Sequence, residues 1–232
     1  ASEFPTQQLH SILQQSPLDL AAVGTGAGWL KERLSLTDTD AERRRQAIQF
    51  VAEIIEIAAE FNAPAIIGSM QGQASDITHR SESLGLLAEA LSTLGDHAQR
   101  HGQVLLYEAL NRYETNLLNT QEDAANFLIK HSLVGNGVRL LCDLFHMNIE
   151  EQNVPETITR LGNLSSDLIG HVHWADSNRR AMGLGHTDSN AIYRALNAAG
   201  YDKYLAAEVF PLPSPTEAAS QTILSIEAFT SS

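Results

Sequence analysis

Four side chains of metal-ligand type recur at nearly constant spacing in the second half of the chain. Glu108, Asp143, His173 and Glu208 are separated by 35, 30 and 35 residues, and they close the apolar runs VLLYE, VRLLCD, GHVHW and YLAAE. A βα unit of a parallel barrel takes about 30 residues, so one such side chain per unit would place all four at one rim. Three carboxylates and one imidazole suit a divalent cation such as Mn²⁺, Mg²⁺ or Co²⁺. This pattern predicts a metal-assisted enzyme rather than a binding module.

Apolar periodicity predicts six strands that alternate with helices. The predicted strands cover residues 18–24, 63–68, 104–110, 138–145, 170–176 and 204–210. The predicted helices cover 5–15, 40–61, 82–101, 120–131, a segment from Pro155, 189–199 and 215–229, with Thr39 as the cap of the second. Such alternation is typical of a parallel sheet with helices outside. We therefore predict an α/β fold, a TIM-type barrel that is a single domain over residues 1–232, with six of eight βα units present.

Composition excludes several classes of partner. The net charge is −13, which disfavours nucleic acid because phosphate binding relies on clustered Lys and Arg. The single cysteine, Cys142, cannot form an internal disulfide, so we expect a reducing, cytoplasmic location. The sequence contains no run of 18 apolar residues, so we expect no membrane span. The first residues do not resemble a signal peptide.

The alternation of side chains along a strand indicates which groups point inward. If Asp143 faces the interior, its neighbour Cys142 faces the helices, away from any catalytic base. His171 and His173 share one face, so periodicity alone allows either as the ligand. His173 lies nearer the strand end, and we expect His171 to be a structural histidine.

Long motifs carry a resemblance to a known family. The segments are YEALNRYETN (107–116), CDLFHMNIEE (142–151), HVHWADSNRR (171–180) and AAEVF (206–210). They resemble the sugar epimerases of the xylose-isomerase-like barrels, which include the D-tagatose and D-psicose 3-epimerases and the 5-keto-L-gluconate epimerases. The similarity runs from about residue 18 to the end of the chain. In this resemblance the family's first strand, first helix and second strand have no counterpart.

The resemblance implies a role for each candidate residue. Glu108, Asp143, His173 and Glu208 match the metal ligands, and Glu108 with Glu208 matches the pair that exchanges the proton. Glu114, His146 and Arg179 match positions that hold the substrate. The implied reaction inverts the carbon next to the ketone of a keto-sugar or keto-sugar acid through a metal-bound enediolate. We expect Mn²⁺ as the favoured ion for this donor set, and the resemblance together with unpaired strand edges implies a homo-oligomer.

Three alternatives remain at this point. An aldose–ketose isomerase would use the same site and differ only in which carbon regains the proton. A catalytically silent sugar-binding module would follow if the strands without a counterpart are needed for activity. At the level of a single residue, Glu114 could pair with Arg112 instead of binding substrate.

Overall fold

The protein is described by a computed structural model over residues 5–230. Its six strands are β1 (Val23–Gly24), β2 (Ala65–Ile67), β3 (Leu105–Glu108), β4 (Val138–Asp143), β5 (Ile169–His173) and β6 (Leu205–Ala206). The pairs β1–β2, β2–β3, β4–β5 and β5–β6 are all parallel. Within the described residues the six predicted βα strands are therefore confirmed.

Nine α-helices occur within residues 5–230. They are α1 (Thr6–Gln14), α2 (Gly26–Glu32), α3 (Ala41–Ala59), α4 (Arg80–Arg100), α5 (Gln121–Lys130), α6 (Leu144–Glu150), α7 (Val154–Leu164), α8 (Ser189–Ala198) and α9 (Pro215–Thr230). A 3₁₀ turn covers Ser69–Gln71. None of the helices described here is both long enough and apolar enough to cross a membrane.

The chain divides into two compact units. The first contains residues up to 108, 114–117 and 127–139, and the second contains 109–113, 118–126 and the residues from 140 onward. The single domain over residues 1–232 stays a prediction.

The first unit is built on β1, β2 and β3, with α3 and α4 in contact with each other. Helical spacing on α4 buries Leu87, Leu91 and Leu94 completely. Gly95 follows on the same helix because a side chain there would collide with the carbonyl oxygen of Asn136. This close approach brings the chain before β4 against α4 and leads it into the sheet.

The second unit contains the sheet from Leu140 of β4 to β6, and α7 packs on α8. Ile158, Leu161, Ile192 and Leu196 supply the buried apolar face between these two helices. Trp174, directly after β5, is fully buried, and its indole N–H donates to Ser225 Oγ at 3.0 Å. Ser225 thus satisfies the indole N–H, the only polar group of the Trp174 ring, and the rest of the ring buries apolar surface.

Several predicted boundaries were wrong. The strands predicted at 18–24 and 204–210 are only two residues long, as β1 and β6. Residues 26–32 form α2, and α6 begins directly after β4, where the sequence pattern had extended the strand to residue 145. The α3 cap is Asp40 rather than Thr39, because the Asp40 carboxylate accepts from the backbone N–H of Glu42 and Arg43. Thr120 does cap α5, since its Oγ1 accepts from Asp123 N at 3.1 Å.

We expect Asp40→Ala to lower the free energy of unfolding by about 1 kcal/mol, because two N-terminal N–H groups of α3 lose their acceptor. Thr39→Ala is the matched control and should leave stability unchanged. Urea denaturation of both variants measures the difference. Equal stabilities would mean that the Asp40 contacts contribute nothing to the helix.

Candidate metal centre

Asp143, His173 and Glu208 come together within the second unit. The His173 Nδ1 atom lies 3.1 Å from Asp143 Oδ2 and 3.2 Å from Glu208 Oε2. The ligand atoms of the three side chains all lie within 4.8 Å of one another. Two carboxylates therefore converge on a single imidazole nitrogen.

Asp143 is held by the start of a helix. It is the last residue of β4 and the N-cap of α6, and its Oδ1 accepts from His146 N at 3.1 Å. Its other oxygen, Oδ2, is the one that faces His173. Because Asp143 is completely buried, both oxygens need partners, and the two contacts fix the carboxylate in one orientation.

Glu208 lies two residues beyond the end of β6, so the expectation that it would end a strand was wrong. Its Oε2 accepts from Arg179 Nη2 at 2.9 Å as well as facing His173. The hydrogen bond from His173 is the main cause that lowers the pKa of Glu208 to about 2, and Arg179 adds to it. Partial burial opposes the shift. The side chain is consequently a carboxylate at neutral pH, as a metal ligand or a general base must be.

Arg179 is positioned by its backbone and by an aromatic ring. It has a positive φ of 57°, and its carbonyl oxygen accepts from Phe210 N at 2.7 Å. The guanidinium lies over the Phe145 ring, 4.9 Å from its centroid. Phe145 is on α6, the helix that Asp143 caps, so these contacts link Arg179 to the same helix.

His146, which the sequence also marked, is buried on α6. Its Nδ1 atom lies 2.7 Å from Asn111 Nδ2 and 3.3 Å from Asn111 N. Because amide nitrogens donate, Nδ1 acts as the acceptor and the ring proton lies on Nε2. The asparagine of the LNR motif thus orients His146.

Glu108 and Glu114 belong to the first unit. Glu108 is the last residue of β3 and is 6% exposed. Its carbonyl oxygen accepts a hydrogen bond from Gln71 Nε2. The side-chain oxygen of Gln71 in turn accepts from Tyr107 OH at 2.6 Å. Glu114 is exposed in the segment after β3, and its carbonyl oxygen accepts from Gln73 Nε2. Arg112, the alternative partner of Glu114, forms an ion pair with Glu150 at 2.8 Å.

His171 and Cys142 have no catalytic geometry. His171 is buried edge-on to His173, and its burial, with the adjacent imidazole, lowers its pKa to about 4. It is therefore neutral at pH 7 and can pack in the interior. Burial raises the pKa of the Cys142 thiol, so it stays protonated and is a poor nucleophile.

The donor set fits a divalent cation. The group in the second unit presents two carboxylate oxygens and one imidazole nitrogen toward a common point. Such mixed oxygen and nitrogen donors suit Mn²⁺, Co²⁺ or Mg²⁺. Nδ1 of His173 faces both carboxylates, so a cation held there would replace a shared proton.

Comparison with known proteins identifies the family. The family described as the xylose isomerase-like TIM barrel matches residues 1–227. The chain belongs to this family. The predicted resemblance and the predicted barrel fold are both confirmed.

Several relatives are named as sugar epimerases. The chain is 30% identical over 211 residues to the 3-dehydro-D-guloside 4-epimerase of Escherichia coli. The aligned region covers 87% of this chain and 76% of that enzyme. It is 30% identical to the D-psicose 3-epimerase of Enterocloster bolteae, over 78% of the chain and 60% of that enzyme. Epimerases are isomerases, so the predicted enzyme class is confirmed.

Solved structures agree on the fold. The crystal structure of the apo 3-keto-D-glucoside 4-epimerase from E. coli superposes with a TM-score of 0.77 at 22% identity, covering 96% of this chain and 84% of that one. A D-psicose 3-epimerase from Clostridium cellulolyticum superposes with a TM-score of 0.79 at 20% identity, covering 96% and 81%.

Asp176 is a site-building residue whose role the sequence analysis missed. It is fully buried, and its carboxylate accepts from the backbone N–H groups of Ser177, Gly183, Gly185 and Thr187 at 2.7–3.0 Å. Its carbonyl oxygen accepts from Arg179 N at 2.8 Å. A side chain at Gly185 would collide with the Asp176 carboxylate. The glycines of MGLGH were the available signal, because they let the backbone wrap around one acid.

The charge of Asp176 depends on the same contacts. Burial raises its pKa, but the backbone donors outweigh burial and lower the pKa to about 2. The unfolded pKa of an aspartate is about 3.9, so its contribution to stability is present above that pH and is lost as pH falls through about 2.

We expect Asp176→Asn to lower the free energy of unfolding by about 3 kcal/mol, because the amide group would face backbone N–H groups that need acceptors. Asp188→Asn is the matched control: it makes the same change in the same segment, and Asn caps α8 as well as Asp does. Chemical denaturation at pH 7 compares the two. A loss of stability of the same size in both would contradict a special role for Asp176.

Proposed function

We propose that the protein is a divalent-metal-dependent epimerase of a keto-sugar or keto-sugar acid. The observation that carries the proposal is the convergence of Asp143 and Glu208 on His173 Nδ1, with Arg179 paired to Glu208. The family membership and the epimerase relatives support the reaction class.

The proposed metal ligands are Glu108, Asp143, His173 and Glu208. The second-unit group supports three of them, and Glu108 is added from the regular spacing of strand ends and from the family resemblance. We propose Mn²⁺ as the ion, with Mg²⁺ or Co²⁺ as substitutes. When bound, the ion supplies Lewis-acid polarisation of the substrate carbonyl.

Glu108 and Glu208 are proposed to move the proton. A C–H group next to a ketone is a weak acid, so a carboxylate can remove its proton only when the carbonyl is polarised. The carboxylate must also be ionised and close to the carbon. The low pKa of Glu208 keeps it ionised at neutral pH. One glutamate removes the proton from one side of the carbon, and the other returns a proton to the opposite side, which inverts that carbon.

The remaining site residues are proposed to hold the substrate. Arg179 presents a guanidinium beside Glu208 and can stabilise negative charge that develops on an oxygen. His146 donates from Nε2, since its Nδ1 is engaged by Asn111. Glu114 is exposed in the segment after β3 and can accept hydrogen bonds from sugar hydroxyls.

The resemblance extends the proposal to the setting of the enzyme. We propose a homo-oligomer and a cytoplasmic location, the latter because the single Cys142 is a free thiol. The substrate class is an unphosphorylated ketohexose or keto-hexonate.

One relative favours a second candidate. The chain is 26% identical to a putative hydroxypyruvate isomerase of Streptomyces coelicolor, over 90% of the chain and 75% of that protein. An aldose–ketose isomerase would return the proton to the neighbouring carbon. NMR of the products from ketohexoses and keto-hexonates separates the two activities.

Metal binding is tested with Asp143→Asn, which keeps an oxygen for His146 N but removes the charge facing His173. We expect the affinity for Mn²⁺ to fall about 100-fold, because a neutral amide is a poor ligand for a hard cation. Asp123→Asn is a surface control. Mn²⁺ titration followed by electron paramagnetic resonance gives the affinities, and unchanged binding in Asp143→Asn would contradict the site.

Proton transfer is tested with Glu108→Gln and Glu208→Gln. We expect each variant to lose about 100-fold or more of the exchange of substrate hydrogen with deuterium from solvent, because each lacks one proton carrier. Mn²⁺ content must be measured alongside, since both residues are proposed ligands. Exchange at the wild-type rate in both metal-loaded variants would refute the mechanism.

A further inference from the structure

A second group of metal-type side chains lies on α3 and α4 in the first unit. Glu56 is on α3, His97 is on the last turn of α4, and His101 directly follows that helix. Ligand atoms of the three lie within 4.8 Å of one another, and His97 Nε2 is 3.1 Å from Glu56 Oε1. The ring centroids of His97 and His101 are 4.8 Å apart.

Helical geometry accounts for the grouping. Residues four apart on a helix lie one above the other on the same face, so the two imidazoles are neighbours. Glu56 reaches them from the adjacent helix, 41 residues earlier in the chain. The three donors thus come from two elements that are already packed together.

The donor chemistry differs from that of the first site. Two imidazoles and one carboxylate form a ligand set that binds Zn²⁺ in tetrahedral sites, with one position left for water. Nitrogen donors favour the later first-row ions over Mn²⁺ or Mg²⁺.

Two electrostatic features favour a cation here, and one opposes it. The carboxyl end of α4 carries the negative end of the helix dipole, and Glu56 adds a full negative charge. Arg100 opposes, because its Nη2 lies 3.4 Å from His97 Nδ1. A guanidinium can only donate, so His97 now carries its proton on Nε2, toward Glu56. Metal binding at Nε2 would move that proton to Nδ1 and would require the exposed Arg100 side chain to turn away.

We propose that Glu56, His97 and His101 form a Zn²⁺ site that joins α3 to α4. None of its three residues is a proposed ligand of the epimerase centre, and the Zn²⁺ site does not depend on that centre. Because the site ties two helices through side chains, a bound ion stabilises the folded chain. This stabilisation rises with the logarithm of the ion concentration once that concentration exceeds the dissociation constant.

Zn²⁺ binding to the full chain without a histidine tag tests the proposal. Competition with a chromophoric chelator gives the number and affinity of sites, and thermal unfolding with and without Zn²⁺ gives the stabilisation. We expect His101→Gln and His97→Gln each to weaken one class of Zn²⁺ site about tenfold or more and to reduce the Zn²⁺-dependent rise in Tm. Arg100→Gln should strengthen the same site, because it removes the opposing charge.

His131→Gln is the matched control. His131 also follows a helix, and its ring contacts the ring four residues earlier, Phe127, with a centroid distance of 4.7 Å. The His131→Gln variant should bind Zn²⁺ with the wild-type number of sites and affinities. The proposal is overturned if His97→Gln and His101→Gln keep the wild-type affinities, or if every Zn²⁺ site of the wild type is lost in Asp143→Asn. Because Mn²⁺ binding and proton exchange report on the epimerase centre, failure of one proposal leaves the other measurable.

Discussion

The site in the second unit depends on the two contacts of the Asp143 carboxylate. One oxygen begins α6 by accepting from His146 N, and the other meets His173 Nδ1 at the end of β5. The same residue therefore ends a strand, starts a helix and orients an imidazole. From α6 the connection continues through Phe145 to Arg179, then to Glu208, and returns to His173. Each side chain of this ring is held by two neighbours, so its orientation does not rest on one contact.

Charge balance explains why this ring suits a cation. Asp143 and Glu208 are both ligand-type acids, and Arg179 forms an ion pair with Glu208. Asp143 is fully buried, and a buried carboxylate is costly unless it is hydrogen-bonded or paired with a charge. Without a metal, a proton on His173 Nδ1 must serve both acids. A divalent ion held by Asp143, His173 and Glu208 would supply twice the charge of that proton to the two carboxylates. Asp176 shows the other solution, since four backbone N–H groups replace a cation around its carboxylate.

The sequence predicted element order and candidate ligands better than element boundaries. An apolar run looks the same whether it continues a strand or begins a helix, so the pattern placed Leu144 and Phe145 in a strand although they start α6. Here Asp143 was the decisive residue, because it can serve as an N-cap as well as a ligand. Glu208 lies beyond β6 because pairing with β5 stops at Ala206. Spacing alone did not reveal the role of Asp176, since its partners are backbone N–H groups that any sequence possesses, and only the glycines of MGLGH hinted at it.

Two sites of different donor chemistry on one chain would separate ions by preference. The ring around His173 supplies one nitrogen among carboxylate oxygens, whereas the α3–α4 group supplies two nitrogens and one carboxylate. Affinity of a given site rises from Mn²⁺ toward the later divalent ions, so Zn²⁺ can enter either site. Mn²⁺ supplied alone is expected to bind where carboxylate oxygens dominate the ligand set. Occupancy by Mn²⁺ is therefore diagnostic of the first site, and Zn²⁺ bound in excess of it is diagnostic of the second. A measured metal content has meaning for this protein only when the ion is specified, because the same chain would give different stoichiometries with the two ions.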